Sequence, residues 1–175
     1  MATNARAQAA PILEVLDGDA RLAFSFEDLM RYHGPGSPGG VAHAYKVLER
    51  ALPLLEPAGP LQRREVAVAT AFGGPGARDG FELVLRAVTG GRYRVDAALA
   101  RRERGWTRER FTFHLAYRAR TVALGVREGF VTEELLTLAR TQDPSEEQTA
   151  RLDALKREMA ERVMASEAAD VYEPL

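Results

Sequence analysis

The sequence predicts an α+β protein, with helices packed on a small mixed β-sheet and additional helices at the C-terminus. Three observations carry this. Apolar residues recur at helical spacing at Val41, Tyr45, Leu48, Leu52 and Leu55, with Lys46, Glu49 and Arg50 on the other side. The run EVAVATAF (65–72) is short, rich in small and β-branched residues and bounded by breakers, as a buried strand is. Further strand patterns cluster after the next helical stripe instead of alternating with helices one by one, which favours α+β over a doubly wound sheet.

Taken in order, residues 8–16 (QAAPILEVL) place Ile12, Leu13 and Leu16 as a short amphipathic helix would. Ser25 with Asp28 predicts an N-cap for a helix over residues 26–32. The loop that ends it packs Gly34, Pro35, Gly36, Pro38 and Gly39 together, and Pro53 and Pro57 are expected to stop the long helix that follows. A second glycine-rich turn, GGPGARDG (73–80), precedes a helical stripe at Phe81, Val84 and Val88, and residues 92–95 begin a strand. RFTFHLAYRARTVALGV (110–126) alternates as two strands joined near Arg118–Ala119. Thr132 predicts the cap of a helix to Arg140, and Ser145 with Gln148 a capping box for a long helix through Leu152, Leu155, Met159 and Val163.

A chain of 175 residues suits one domain. It divides into an N-terminal helical extension (1–23), an α+β core (24–127) and a C-terminal helical segment (128–175). No apolar run approaches the ~20 residues that span a bilayer. The first residues lack the apolar stretch of a signal peptide, so a cytoplasmic location and no membrane partner are expected. The net charge of −1 gives no reason to expect nucleic acid. Charge is nonetheless uneven, with ten arginines against three acids in residues 92–127 and twelve acids against five bases in 128–175. Acidic helices packed beside arginine-rich strands are the simplest expectation. The absence of cysteine excludes disulfides, thiolate catalysis and thiolate metal sites.

Both glycine loops stand immediately before helices, where free N–H groups and the positive end of the dipole hold anions and glycine lets a ligand approach the backbone. Neither is a nucleotide signature: GPGSPGG lacks the lysine and spacing of a P-loop. The ordinary alternative is tight turns with close helix packing. Ser37, Gly39, Gly74, Gly76, Arg78 and Asp79 are the candidate ligand-binding residues. His33, the last residue before the first glycines, is the candidate for acid–base work, unless it caps its helix or bonds a loop carbonyl. Arg78 suits an anion clamp, and Asp79 an anion pocket or a helix cap. His43 lies off the apolar stripe, exposed or facing the loop, and His114 sits in an alternating strand. The histidines contain no compact ligand pair, so no metal or cofactor is expected, with His33 the one residue to hold a metal if any does.

The stretch YHGPGSPGGVAHAYKVLERAL (32–52) resembles the N-terminal signature of the formylmethanofuran dehydrogenase E-subunit family, in which a short helix runs into His-Gly-His-x-Cys-Pro-Gly. His33, Gly34, Pro38, Gly39, Tyr45 and Lys46 stand at matching places. DGFELVLRAVTGGRYRV (79–95) is similar to the family's second helix and Thr-Gly turn, RFTFHLAYRARTVALGV to its hairpin, and RVMASEAADVYEPL to its C-terminal end. The resemblance covers about residues 24–175. It implies an α+β fold, a homodimer, and association with a multi-subunit molybdenum or tungsten enzyme. The family's metal residues are the histidine and cysteine of the first motif and a cysteine before the second helix. Here Pro35 replaces the second histidine, Ser37 stands at the cysteine, and Phe72-Gly73-Gly74 occupies the second cysteine's region, so only His33 carries over. The expected function is binding of a small anionic ligand between the two loops with the family metal site lost. A non-catalytic accessory protein and a residual metal-binding protein using His33 stand as alternatives.

Overall fold

The computed structural model describes residues 12–175 and shows an α+β fold. A hairpin of β1 (Leu13–Asp17) and β2 (Ala20–Phe24) opens the described chain. It leads through α1 (Phe26–His33) into α2 (Pro38–Leu55), β3 (Val66–Thr70) and α3 (Pro75–Leu85). Then come β4 (Tyr93–Val95), β5 (Thr112–Tyr117) and β6 (Arg120–Val126), followed by α4 (Glu133–Ala139), α5 (Glu146–Met164), α6 (Ala168–Val171) and β7 (Tyr172–Pro174). The main sheet is mixed, in the order β4-β3-β5-β6-β7, with only β3–β4 parallel. No helix among the described residues is long and apolar enough to cross a membrane.

The expected helix at residues 8–16 is corrected where it is described. Leu13 and Val15 turn inward and Glu14 outward, which is a period of two, and three apolar residues are too few to separate it from a helical stripe. The stronger signal is Gly18-Asp19: Gly18 takes a φ of 63° at the first position of the two-residue turn, as tight hairpins demand. Residues 8–11 lie outside the described residues. The capping predictions hold. Ser25 and Asp28 close a reciprocal capping box on α1, Ser145 and Gln148 another on α5, and Thr132 caps α4. Pro53 does not stop α2. It lies inside the helix, which runs two residues further.

α2 is the central element, buried along nearly its whole length and packed against α1, α3, α5 and the sheet. The glycines set how closely its neighbours approach. A Cβ built on Gly40 would lie 3.1 Å from Ala77 N and 3.3 Å from Gly76 Cα, and one on Gly80 would lie 2.8 Å from Ala44 Cβ. Gly39 sits against Met159 and the Lys156 carbonyl of α5. Phe81 of α3 and Phe113 and Tyr172 of the sheet then fill the core between the helices and strands.

The acidic helices do not lie beside the arginine-rich strands, which corrects that expectation. α5 packs on α2 and α4, and its Arg151 pairs with Glu134 at 2.7 Å and Glu158 at 3.0 Å, so these acids are compensated largely within the helical layer. Glu173 of β7 reaches the arginine-rich segment, at 2.7 Å from Arg104 and 2.8 Å from Arg127.

Past α3 the chain turns under a buried carboxylate. Glu82 accepts from Val88 N at 2.8 Å, Thr89 N at 3.0 Å and the Thr89 hydroxyl. Burial opposes its ionisation, but those bonds and Arg86 outweigh it and hold the carboxyl below its ordinary range. Glu82→Ala leaves the two amides without their acceptor, so a loss of about 2–3 kcal/mol is expected in urea unfolding. An unchanged midpoint would mean that water replaces the carboxylate without cost.

Candidate functional site

The predicted residues gather, but at two places. His33 is the last residue of α1 and Asp79 lies in the second turn of α3, and the packing of these helices brings Nδ1 within 2.7 Å of Asp79 Oδ2. Against an ionised carboxylate, Nδ1 carries the proton and donates it. The ring's Nε2 is shielded from solvent and has no partner among the described residues. The His33 side chain is only 8% exposed. Arg78, largely exposed, reaches the other carboxylate oxygen of Asp79 at 3.4 Å. The reading of Asp79 as a helix cap is thereby corrected: α3 begins at Pro75 with Gly74 as its N-cap, and Asp79 orients His33.

Ser37, Gly74 and Gly76 meet at the second place, a cavity of about 340 Å3 that both glycine loops line. Gly40 lines it in place of Gly39, which packs against α5. Two helix N-termini converge here, those of α2 and α3. Neither has a side-chain cap, and each has proline in its first turn. Gly40 and Gly76 are in near contact, so the two positive dipole ends lie side by side. The remaining wall is apolar: Phe72 stacks on Phe111 at 4.4 Å, and α4 and α5 contribute Leu135, Leu136, Leu152 and Met159. Among the described residues Lys156 is the one charged member of the lining, bonded at 3.4 Å to the Gly36 carbonyl and paired at 3.6 Å with Asp153. His33, Arg78 and Asp79 do not line this cavity.

Sequence reasoning missed the aromatic wall and Lys156. Lys156 has a visible signal, being one of two lysines, whereas its meeting with Gly36 spans 120 residues and has none. The expectation that His43 is exposed or faces the loop is corrected. It is fully buried, with Nδ1 2.7 Å from the Tyr172 hydroxyl and its ring 4.9 Å from that of Phe111, and burial pushes its pKa down to about 3. Neutral at physiological pH and closed to solvent, it serves the core.

Among the described residues, no three histidine or carboxylate side chains are grouped as a metal ion would need. Among the described residues, His33 has one carboxylate within hydrogen-bond distance, that of Asp79. No protein-family model matches the chain, and no curated protein matches it either.

Proposed function

We propose that the protein binds a small anionic ligand in the cavity between its two glycine-rich loops. The observation that carries this is the convergence of Ser37 and Gly40 with Gly74 and Gly76 on one space of about 340 Å3, at two uncapped helix N-termini. That volume suits a small molecule, and the lining sets its character. An apolar body fits against Phe72, Phe111, Leu136 and Met159, while an anionic group is matched by the N-terminal amides and Lys156. His33, at the end of α1 and bonded to Asp79 of α3, stands outside this lining and is the group proposed for proton transfer if the ligand is turned over.

We further propose kinship with the formylmethanofuran dehydrogenase E-subunit family, as a homodimeric member without the family's metal chemistry. His33-Gly34 at the end of the first helix, the glycine step into α2 and the order of the later elements support it. The accessory reading draws on the shielded Nε2 of His33.

The binding proposal is tested by thermal shift and calorimetry with benzoate, hexanoate and phenyl phosphate. A saturable rise in Tm of a few degrees is expected. The rise should shrink in Leu136→Trp, which fills the cavity, and the cavity's affinity should weaken about tenfold in Lys156→Met. No shift at millimolar concentration, or a shift that Leu136→Trp leaves undiminished, overturns it.

A further inference from the structure

The helices cover one face of the main sheet and leave the other open. Strand alternation assigns Val68, Phe113, Leu115 and Leu124 to the covered face, where they are buried. The opposite face consists of Ala67 and Ala69 on β3, His114 and Ala116 on β5, and Thr121 and Ala123 on β6. The register sets Arg94, Ala69, His114 and Ala123 in one row across four strands, with Ala67, Ala116 and Thr121 in the next. A face meant only for water carries charged and long polar side chains. These positions on the three central strands carry none. The small residues form the floor of a concavity of about 760 Å3, closed at one side by Leu175.

The rim has the opposite character. Arg92 donates only to main-chain carbonyls, those of Arg63, Val66, Leu85 and Arg86, and among the described residues it pairs with no carboxylate within ion-pair distance. Arg94 is two-thirds exposed and shares its charge with Asp96 at 2.7 Å. Arg101, outside the lining, pairs loosely with Glu103 at 3.9 Å. Beside burial, the fields of Arg101 and Arg94 both act to lower the pKa of His114, which marks the potential at the centre of the floor as positive. The Nε2 of His114 lies beneath the surface and has no partner among the described residues.

We infer that this open face is a second binding site, taking a flat, mostly apolar molecule with one carboxylate, sulfonate or phosphate group, which Arg94, His114 and Thr121 engage. Alanine at four floor positions permits a planar body to approach the sheet closely, and the volume falls within the range of small-molecule sites. A second copy of the chain is the less suited occupant, because self-pairing would bring two arginine-rich rims together. The site is separate from the cavity between the glycine loops and does not rest on that reading.

The test uses the full chain and the anionic dye 1-anilinonaphthalene-8-sulfonate, followed by fluorescence and by the histidine ring resonances in NMR. Saturable binding that moves the His114 ring signals on titration is expected. It should persist in Leu136→Trp, disappear in Ala69→Trp, and weaken about tenfold in Arg94→Gln. Ala116→Glu, which adds charge without filling the space, should reproduce the loss and keeps the proposal testable if the tryptophan variant fails to fold. Binding that survives both face variants, or that disappears in Leu136→Trp alone, overturns the proposal. So does a wild-type dimer, seen by sedimentation velocity, that Ala69→Trp converts to monomer.

Discussion

Gly76→Ala is expected to destabilise the protein by about 2–3 kcal/mol, although alanine is the better helix former. Gly76 is the second residue of α3 and lies against the first turn of α2. An added Cβ would overlap the Ser37 carbonyl oxygen and stand 2.8 Å from Val41 N. Both are main-chain atoms of a helix start, so neither can rotate away, and relief requires α2 and α3 to separate along their contact. Propensity returns at most about 1 kcal/mol, and less in a first turn, where fewer helical bonds are made. Overpacking therefore wins. Two neighbours calibrate the result. Gly40→Ala meets Ala77 N at 3.1 Å, a milder overlap, and should cost about 1 kcal/mol, while Gly36→Ala meets nothing within 4 Å and should stay within about 0.5 kcal/mol. Urea unfolding of the three variants checks the order. Equal small effects would show that the helix starts can part freely, and the packing role assigned to this glycine would be wrong.

The same glycines explain how much is legible in the sequence. Elements with strong local signals are readable: the two capping boxes, the β5–β6 hairpin around Arg118, and the breaker-bounded β3. The glycine-rich loops are readable as places where the backbone comes close to something. What it comes close to is not, because that depends on residues far apart in the chain. Gly39 and Gly76 answer mainly to Met159 and to Ser37, although Gly76 also borders the cavity. The pairing of His33 with Asp79 joins residues 46 apart, and no local pattern carries that distance. Each stands out in the sequence for its own reason, one as a junction histidine and the other as a helix-start acid, and the geometry unites them in one bond. The open face of the sheet escapes because alternation tells only that two faces differ. Ala67, Ala69 and Ala116 are too small to announce which face the helices take.

His43 leads to the largest expected effect of pH. Its folded-state pKa is lowered by burial from 6.5 to about 3, so between those values the unfolded chain binds a proton that the native core refuses. The sign follows: stability is full above pH 6.5 and falls as the pH drops, by roughly 1.4 kcal/mol per unit, reaching about 5 kcal/mol near pH 3. Carboxylates such as Asp17, Glu65 and Glu173, all held low chiefly by bonds from arginine, lose their contribution only further down. The glutamates begin to lose theirs as the pH approaches 4.5, so the interval from about pH 6.5 to 5 reads His43 most directly, and over it His43 should cost about 2 kcal/mol. His114, lowered first by burial and then by Arg101 and Arg94, adds in the same direction. The discriminating variant is the pair His43→Leu with Tyr172→Phe, which removes both ends of the buried 2.7 Å bond and leaves no orphan. Either single change strands one polar group in the core and should cost about 1–3 kcal/mol at pH 7. The pair should cost no more than the singles, and its stability should fall by less than half as much as that of the wild type across the interval. Urea unfolding at pH 7 and pH 5 reads both quantities. An undiminished acid slope in the double variant would place the proton elsewhere and release His43 from its role as a neutral core residue.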